Sequence, residues 1–344
     1  MRIALIHTRL LLRGGLESRL FSYMNYFHKK GHEVTVIVYK VDPEVKVPEG
    51  VKVVKINLGW TPKFARAARF DRLLGPVVKE GKFDRVISLG RTTHHDVMIV
   101  AGVHKAYLKA RGWTAWKPAD FYQMRMDQKA YDAPGKLLAA SDMVREQMIE
   151  YHGTAASKIG ILFPPTNPER FHPGHKAHKA EYRKKYSFSP NKRSFLLVSA
   201  NHRLKGLPLL QQVFEDLKAH NVELLVAGGK PFPATSNVRH LGFVREIEEL
   251  HAAADFGLLA SQYDSFGQVV TESLLCSTPV IVSHMTGAKA IVTEKEGIVV
   301  PDFEVESWKK AILKALETDF KIPTDLAEKR GLLFDDHMET LLNA

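Results

Sequence analysis

A single cysteine, Cys276, stands in 344 residues, which excludes an internal disulfide and any multi-cysteine metal site. It sits in an apolar run and reads as a small buried hydrophobe. No stretch reaches the roughly 18 uninterrupted apolar residues that a membrane-spanning helix requires. The opening "MRIALIHTRLLLRGG" carries an arginine inside its apolar run and passes straight into patterned structure, so no secretory leader and a cytoplasmic location are expected. The G-x-G-x-x-G spacing of dinucleotide folds is missing from "RLLLRGGLES", which disfavours nicotinamide binding. No recognised nucleic-acid-binding motif is present, and nucleic acid is not expected as a partner. Low-complexity segments are also lacking, and 45% of residues are apolar, enough for real cores.

What is abundant is positive charge. The formal net charge is +11, and between Trp60 and Lys129 there are 14 Lys and Arg against 6 Asp and Glu. A second basic run, "RFHPGHKAHKAEYRKKYSFSPNKR", covers residues 170–193. Such excess fits either a solvated basic surface or an anionic partner: a phospholipid surface, nucleic acid or a phosphorylated substrate. The first stretch also carries Trp60, Trp113 and Trp116 beside "KFARAARFDRLL". Cations beside aromatics suit an anionic membrane surface; the alternative places the tryptophans in the core.

The length favours two domains, since a single core stops growing near about 250–300 residues. "RIALIH" reads as a buried strand, Gly14-Gly15 as a break, and Leu16, Leu20, Tyr23, Met24 and Phe27 recur at helical spacing before Gly31. With "EVTVIVY" this makes a βαβ unit, and "VKVVKIN", "FDRVISLG", "DVMIVAG" and "GKLLAAS" continue the pattern. The same grammar restarts at "SFLLVSAN" and runs through "VELLVAGG", "REIEELHAAAD", "FGLLAS", "VVTESLLC" and "PVIVS". The expected fold is α/β, with two doubly wound Rossmann-like domains over 1–165 and 166–325 facing a cleft. A Pro-rich hinge is expected near 163–174 and a C-terminal helical segment over 326–344, packing back across it. Ligands of such sheets bind at the carboxyl ends of the strands.

Asp264 and Glu272 flank the loop-to-helix passage "DSFGQVVTE". With a helix starting near Val269, the backbone N–H groups of Gly267, Gln268 and Val269 form an anion site, and Gly267 permits close approach. One carboxylate for a sugar, one for a ribose and a diphosphate between them account for the spacing. An N-cap Asp with an ordinary surface Glu accounts for it too. Arg203 and Lys205 in "SANHRLKGLPLL" sit at the end of another strand of the same half, suited to a diphosphate. His104, after "DVMIVAGV", is the first half's candidate for substrate contact, with a structural role equally open. His94, His95 and Asp96 mimic a metal cluster, but neighbours on a strand point apart, and no metal is expected there.

Jointly these segments resemble family 4 of the glycosyltransferases, which have the GT-B fold and use nucleotide-activated sugars. The resemblance spans essentially the whole chain. "GGLESRLFSYMNYFHKKGHEVTVIV" is similar to the family's opening loop and helix, "SANHRLKGLPLL" to its basic loop, "GFVREIEELHAAADFGLLAS" to the helix before the donor strand, and "DSFGQVVTESLLCSTPVI" to its acidic pair. There are departures: Asp264 replaces the usual Glu, Arg203 and Lys205 are more closely spaced than the usual basic pair, and "MTGAKAIV" keeps Gly287 but loses a glutamate. Within the family, "DVMIVAGVHKAYLKARG" and "ILFPPTNPERFHP" are most similar to lipopolysaccharide-core α-glucosyltransferases, which act on lipid-linked acceptors at the inner membrane face.

The resemblance implies a retaining hexosyl transfer from a nucleoside diphosphate sugar, UDP-linked by expectation, without metal or other cofactor; no Asp-x-Asp signature sits on a strand end. Arg203, Lys205 and the helix start at Gly267–Val269, with Phe266 and Gln268 beside it, would hold the leaving diphosphate. Asp264 would hold sugar hydroxyls and Glu272 the ribose. Gly14 and Gly15 would admit diphosphate or acceptor, Phe243 and Val244 would border the base, and His104 would contact donor or acceptor. The expected acceptor is a lipopolysaccharide-core or other cell-envelope glycan, presented at the inner membrane surface against the basic first domain. A sugar-nucleotide epimerase of the same fold, or transfer to a non-lipid small molecule, would use the same donor features.

Overall fold

The computed structural model describes residues 1–11, 14–112 and 117–344; Trp113 and Trp116 lie outside the described residues. The chain forms two compact units, Met1–Leu162 with Met338–Ala344, and Phe163–His337.

The first unit holds strands Arg2–Ile6 (β1), Glu33–Val38 (β2), Lys52–Lys55 (β3), Arg85–Ser88 (β4), Val97–Val100 (β5), Lys136–Ala139 (β6) and Ile159–Ile161 (β7). They form one sheet in the order β3-β2-β1-β4-β5-β6-β7, every pair parallel. Helices Gly15–Lys29 (α1), Arg66–Gly81 (α2), His104–Ala110 (α3), Pro118–Asp132 (α4) and Asp142–His152 (α5) connect them. Leu20, Tyr23, Met24 and Phe27 of α1 are fully buried, the stripe that their spacing dictates. The α5 ends follow from sequence as well: Ser141 accepts the Val144 amide, and Gly153 closes the helix at φ 64°.

The second unit repeats the design with Arg193–Val198 (β8), Val222–Ala227 (β9), Val238–Gly242 (β10), Phe256–Leu259 (β11), Val280–Ser283 (β12) and Gly297–Val300 (β13). Their order is β10-β9-β8-β11-β12-β13, again all parallel. Its helices are Lys179–Lys185 (α6), Leu207–Asp216 (α7), Ile247–Ala253 (α8), Gln268–Leu275 (α9), Val305–Glu317 (α10) and Leu326–Lys329 (α11), and a last helix, Phe334–Asn343 (α12), runs from this unit into the first. Both sheets therefore have the strand order of doubly wound nucleotide-binding folds. The strands alternate: Phe195 and Leu197 with Leu224 and Val226 face one core, Leu196 with Leu225 and Ala227 the other. Burial on both faces is why these strands read as continuous apolar runs. Trp308 of α10 and Phe256 are buried among them, and truncating either to alanine would cost about 3–5 kcal/mol.

The segment 326–344 is divided between the units. Leu326, Ala327 and Leu332 pack into the second unit's core, whereas the fully buried Met338 and Leu341 belong to the first. Of the two readings of the basic run 170–193, a solvated surface or one for an anionic partner, neither anticipates that many of its cations are paired within the unit. Arg170 pairs with Glu248 at 2.8 Å, Lys179 with Asp255 at 2.7 Å and Lys185 with Glu249 at 2.6 Å. Arg183 also reaches Asp255, and Lys176 donates to the carbonyls of Ala252 and Ala254 at the end of α8. Burial opposes the charge of Asp255, but Lys179 and the Ser194 amide outweigh it and hold its pKa below the usual carboxylate range.

His94, His95 and Asp96 point apart: His94 lies against Gly75, and Asp96 accepts the Val86 amide. His95 is buried with neither ring nitrogen hydrogen-bonded, and burial pushes its imidazole down to about 4. The unfolded chain takes up this proton near pH 6.5 and the folded chain only near 4. Acidification through that window should therefore remove about 3 kcal/mol of stability. Urea unfolding at pH 7 and pH 4 should reveal the loss, and His95→Phe should remove that part of the pH dependence.

Candidate active site

In an open parallel sheet the loops diverge where the strand order reverses, leaving a crevice at the carboxyl ends. In the second unit this point lies between β8 and β11, whose following loops are residues 199–206 and 260–267. The loops pass at contact distance. Gly206 has φ 78°, and a Cβ there would stand 2.1 Å from the Ala260 carbonyl oxygen. The Gln262 amide donates to the Leu204 carbonyl at 2.9 Å, and Lys205 Nζ reaches the Asp264 carboxylate. A third loop clamps Asp264 from the other side. Its amide donates to Met285, its carbonyl accepts the Gly287 amide, both at 2.9 Å, and the Ala288 amide donates to the Phe266 carbonyl at 2.6 Å.

Helix α9 starts at Gln268, one residue before the expected start, because Gly267 turns the chain at φ 91°. A Cβ on Gly267 would press to 2.8 Å on the Thr286 methyl group. Val270 donates to the Gly267 carbonyl at 2.9 Å, whereas the amides of Gly267, Gln268 and Val269 precede the helical hydrogen-bond ladder and carry partial positive charge. Lys205, Asp264 and the helix start thus converge on one rim, a cation, a carboxylate and a set of amides suited to an anion carrying hydroxyl groups.

Glu272 lies one turn further along α9, and its Oε2 is 3.7 Å from Nε2 of His251 on α8. His251 is buried, and neither ring nitrogen is hydrogen-bonded. His251 is not among the expected site residues, and its one signal in the sequence is a polar residue on the buried face of a helix, between Leu250 and Ala252. Three aromatic rings near the same rim are likewise absent from the expected site residues. His202, Phe232 and His240 pack edge-to-face with centroids 5.3–5.9 Å apart, around the ends of β8, β9 and β10. His202 is fixed by the Ser199 hydroxyl and the Lys230 carbonyl.

Arg203 is exposed on the loop of Lys205. Phe266, expected among the ligand contacts, instead buries its ring at 2% exposure, 5.5 Å from that of Phe163, because the loop folds it into the apolar core. Val269 packs partly against the same core, and Gln268 donates to the Pro165 carbonyl at 3.4 Å. Phe243 is 87% exposed after β10, whereas Val244 packs beside Leu250.

In the first unit the order reverses between β1 and β4. Gly14 caps α1 at φ 109°, and Gly15 is the helix's first residue. His104 opens α3 with Nε2 at 2.9 Å from Asp120 Oδ1, and its amide donates to Asp127. Asp127 is buried and pairs with Arg91. Burial works against the Asp120 charge, but the Lys117 amide and His104 outweigh it and lower its pKa.

Known proteins with this pattern are many. A family model described as Glycosyltransferase Family 4 matches residues 13–170, and one described as Glycosyl transferases group 1 matches residues 178–330. A probable transglycosylase of Burkholderia thailandensis is 31% identical over 287 residues, 83% of this chain and 78% of that protein. The lipopolysaccharide glucosyltransferase WaaG of Escherichia coli is 25% identical, covering 88% of this chain and 86% of its own. A crystal structure of WaaG superposes with a TM-score of 0.75 at 21% identity, covering 92% of this chain and 90% of that one. Anabaena HepE in complex with UDP-glucose gives 0.72 at 15% identity, with both chains covered completely.

The contact between the two loops is directly testable. Gly206→Ala must relieve both a left-handed backbone and a 2.1 Å clash with the Ala260 carbonyl. It should lower stability by about 1–3 kcal/mol, read as a fall in the urea midpoint at unchanged slope.

Proposed function

Because the chain belongs to glycosyltransferase family 4, and is a glycosyltransferase of the GT-B fold, we propose that it moves a hexosyl group from a UDP-linked sugar onto a lipid-linked or other cell-envelope glycan. The observation that carries the donor reading is the Lys205–Asp264 pair against the start of α9. A departing diphosphate develops negative charge, and fixed donors aimed at that charge lower the barrier. Lys205 exchanges its carboxylate partner for a phosphate, Arg203 swings in from the same loop, and the amides of Gly267, Gln268 and Val269 supply neutral donors. Asp264, released from Lys205, takes sugar hydroxyls. Glu272 takes the ribose and Phe243 and Val244 the base.

In this reading Gly14, Gly15 and His104 of the first unit take the acceptor. Charge on the leaving group is neutralised by Arg203 and Lys205 without a metal ion, and same-face attack retains the anomeric configuration. The names of similar proteins support the substrate classes: WaaG is a lipopolysaccharide glucosyltransferase, and HepE was crystallised with UDP-glucose. Thermal shift with UDP-, GDP- and ADP-glucose in EDTA should stabilise the wild type with UDP-glucose by several degrees, and Glu272→Ala should lose that shift. A panel in which no nucleotide sugar stabilises the protein defeats the reading. Product formed without any acceptor would point to an epimerase.

The acceptor half of the proposal rests on the first unit's surface. Trp60 is 95% exposed, Phe64 49% and Phe121 54%, and Phe64 meets Tyr122 at 5.3 Å. Lys63, Arg66, Arg69, Arg72, Lys117 and Arg125 are exposed around them. No helix among the described residues is long and apolar enough to cross a membrane. An anionic leaflet would attract these cations while the rings enter the interface, which supports reading the enzyme as peripheral on the cytoplasmic face of the inner membrane. Flotation with phosphatidylglycerol vesicles should recover the protein, and phosphatidylcholine vesicles should not. With about 1 kcal/mol per cation, Arg69→Gln should weaken partitioning about fivefold. Equal recovery on both lipids would sink the docking proposal.

A further inference from the structure

His7 follows β1 directly, at the carboxyl end of the first sheet where β1 and β4 lie side by side. The residue is only 6% exposed. Its Nδ1 lies 3.2 Å from the Leu89 carbonyl oxygen, which can only accept, so Nδ1 carries the hydrogen. The opposite nitrogen, Nε2, faces Glu17 Oε1 at 3.9 Å, beyond hydrogen-bond reach. No other partner of this imidazole is found among the described residues.

Glu17 is the third residue of α1, and its side chain is 21% exposed. The carboxylate folds back beneath Gly14, so closely that a Cβ there would stand 2.3 Å from Oε2. Glycine at this position, with φ 109°, is therefore what lets the carboxylate sit opposite His7. Burial lowers the His7 pKa, and the nearby Glu17 charge only partly opposes it, so the ring is neutral at pH 7. A neutral ring with hydrogen on Nδ1 presents a lone pair at Nε2. Two acceptors then face each other across 3.9 Å with no donor between them, an arrangement that costs free energy until something donates to both.

We infer that His7 and Glu17 form a hydroxyl-recognition site, which takes two neighbouring O–H groups of the acceptor sugar, one donating to His7 Nε2 and one to the Glu17 carboxylate. A vicinal diol places two such donors on adjacent carbons, whereas a phosphate or carboxylate brings none. The site therefore selects a sugar over an anion, and of the two expectations for Gly14, diphosphate or acceptor, it favours the acceptor, because the Glu17 charge beneath Gly14 repels a diphosphate. The inference rests on the reading that the first unit takes the acceptor.

The test is transfer from the nucleotide sugar selected by the thermal-shift panel to octyl β-glucoside and octyl α-mannoside, with donor affinity measured separately by calorimetry. Glu17→Gln places an amide donor against His7 Nε2 and closes the gap. It should raise the KM for the glycoside about tenfold or more while donor Kd stays within twofold. His7→Gln should do the same. If donor Kd rises in step with KM, or if neither variant changes KM, the site is not an acceptor site. Wild-type enzyme that binds donor but transfers to neither glycoside also overturns the assignment, leaving the donor reading intact. Absence of any nucleotide-sugar binding would defeat the donor reading instead. A second measurement does not depend on turnover. In 15N-histidine spectra assigned with His7→Gln, His7 Nε2 should resonate as a bare nitrogen at pH 7 and move when octyl β-glucoside is added. A protonated Nε2, or no movement, rejects the inference.

Discussion

The rim of the second sheet depends on two backbones passing at contact distance where β8 and β11 lie side by side. Any side chain at position 206 would hold the loops apart, because the Ala260 carbonyl occupies the space its Cβ would need. With glycine there, Lys205 reaches Asp264, the 285–288 segment clamps the Asp264 backbone, and Gly267 turns into α9 beside them. Lys205 and Asp264 neutralise each other at the crevice. This spares the fold two half-buried unpaired charges, and it makes both available to a ligand that brings a charge and hydroxyl groups of its own.

Positive charge is used differently in the two units. In the second, the lysines and arginines of 170–193 bind α6 and its flanks to the acids and carbonyls of α8 and to Asp255. In the first, arginines and lysines of α2 and α4 stand in solvent beside exposed rings. The net charge of +11 is therefore presented unevenly, with side chains free in solvent on the first unit and many held in ion pairs on the second.

Strand and helix order was legible in the sequence because burial on both sheet faces leaves uninterrupted apolar runs, and glycines mark the helix ends. The passage from Asp264 through Gly267 to Glu272 was legible for the same reason: a strand, a turn and a helix start have distinct residue signatures. Four features were not. The internal use of Lys176, Lys179 and Arg183 depends on the carbonyls of α8 and on Asp255, more than 60 residues away. The inward turn of Phe266 depends on Phe163, across the chain. The pairing of Arg91 with Asp127 joins a loop after β4 to helix α4, which spacing does not connect. His7 and Glu17, ten residues apart, face each other only because Gly14 leaves room. Local pattern encodes elements; contacts between elements follow from topology, and a single sequence reveals them only where a residue type is out of place, as His251 is.

The path of the chain through its own units carries a consequence for synthesis. The first unit is opened by residues 1–162 and completed by Met338–Ala344, whose Met338 and Leu341 are fully buried. A ribosome moving at about 5–20 residues per second emits the whole second unit before those side chains exist. The first unit must therefore wait in an incomplete state, for on the order of ten seconds or more, while its neighbour is made. The order of completion is thus the reverse of the order of translation.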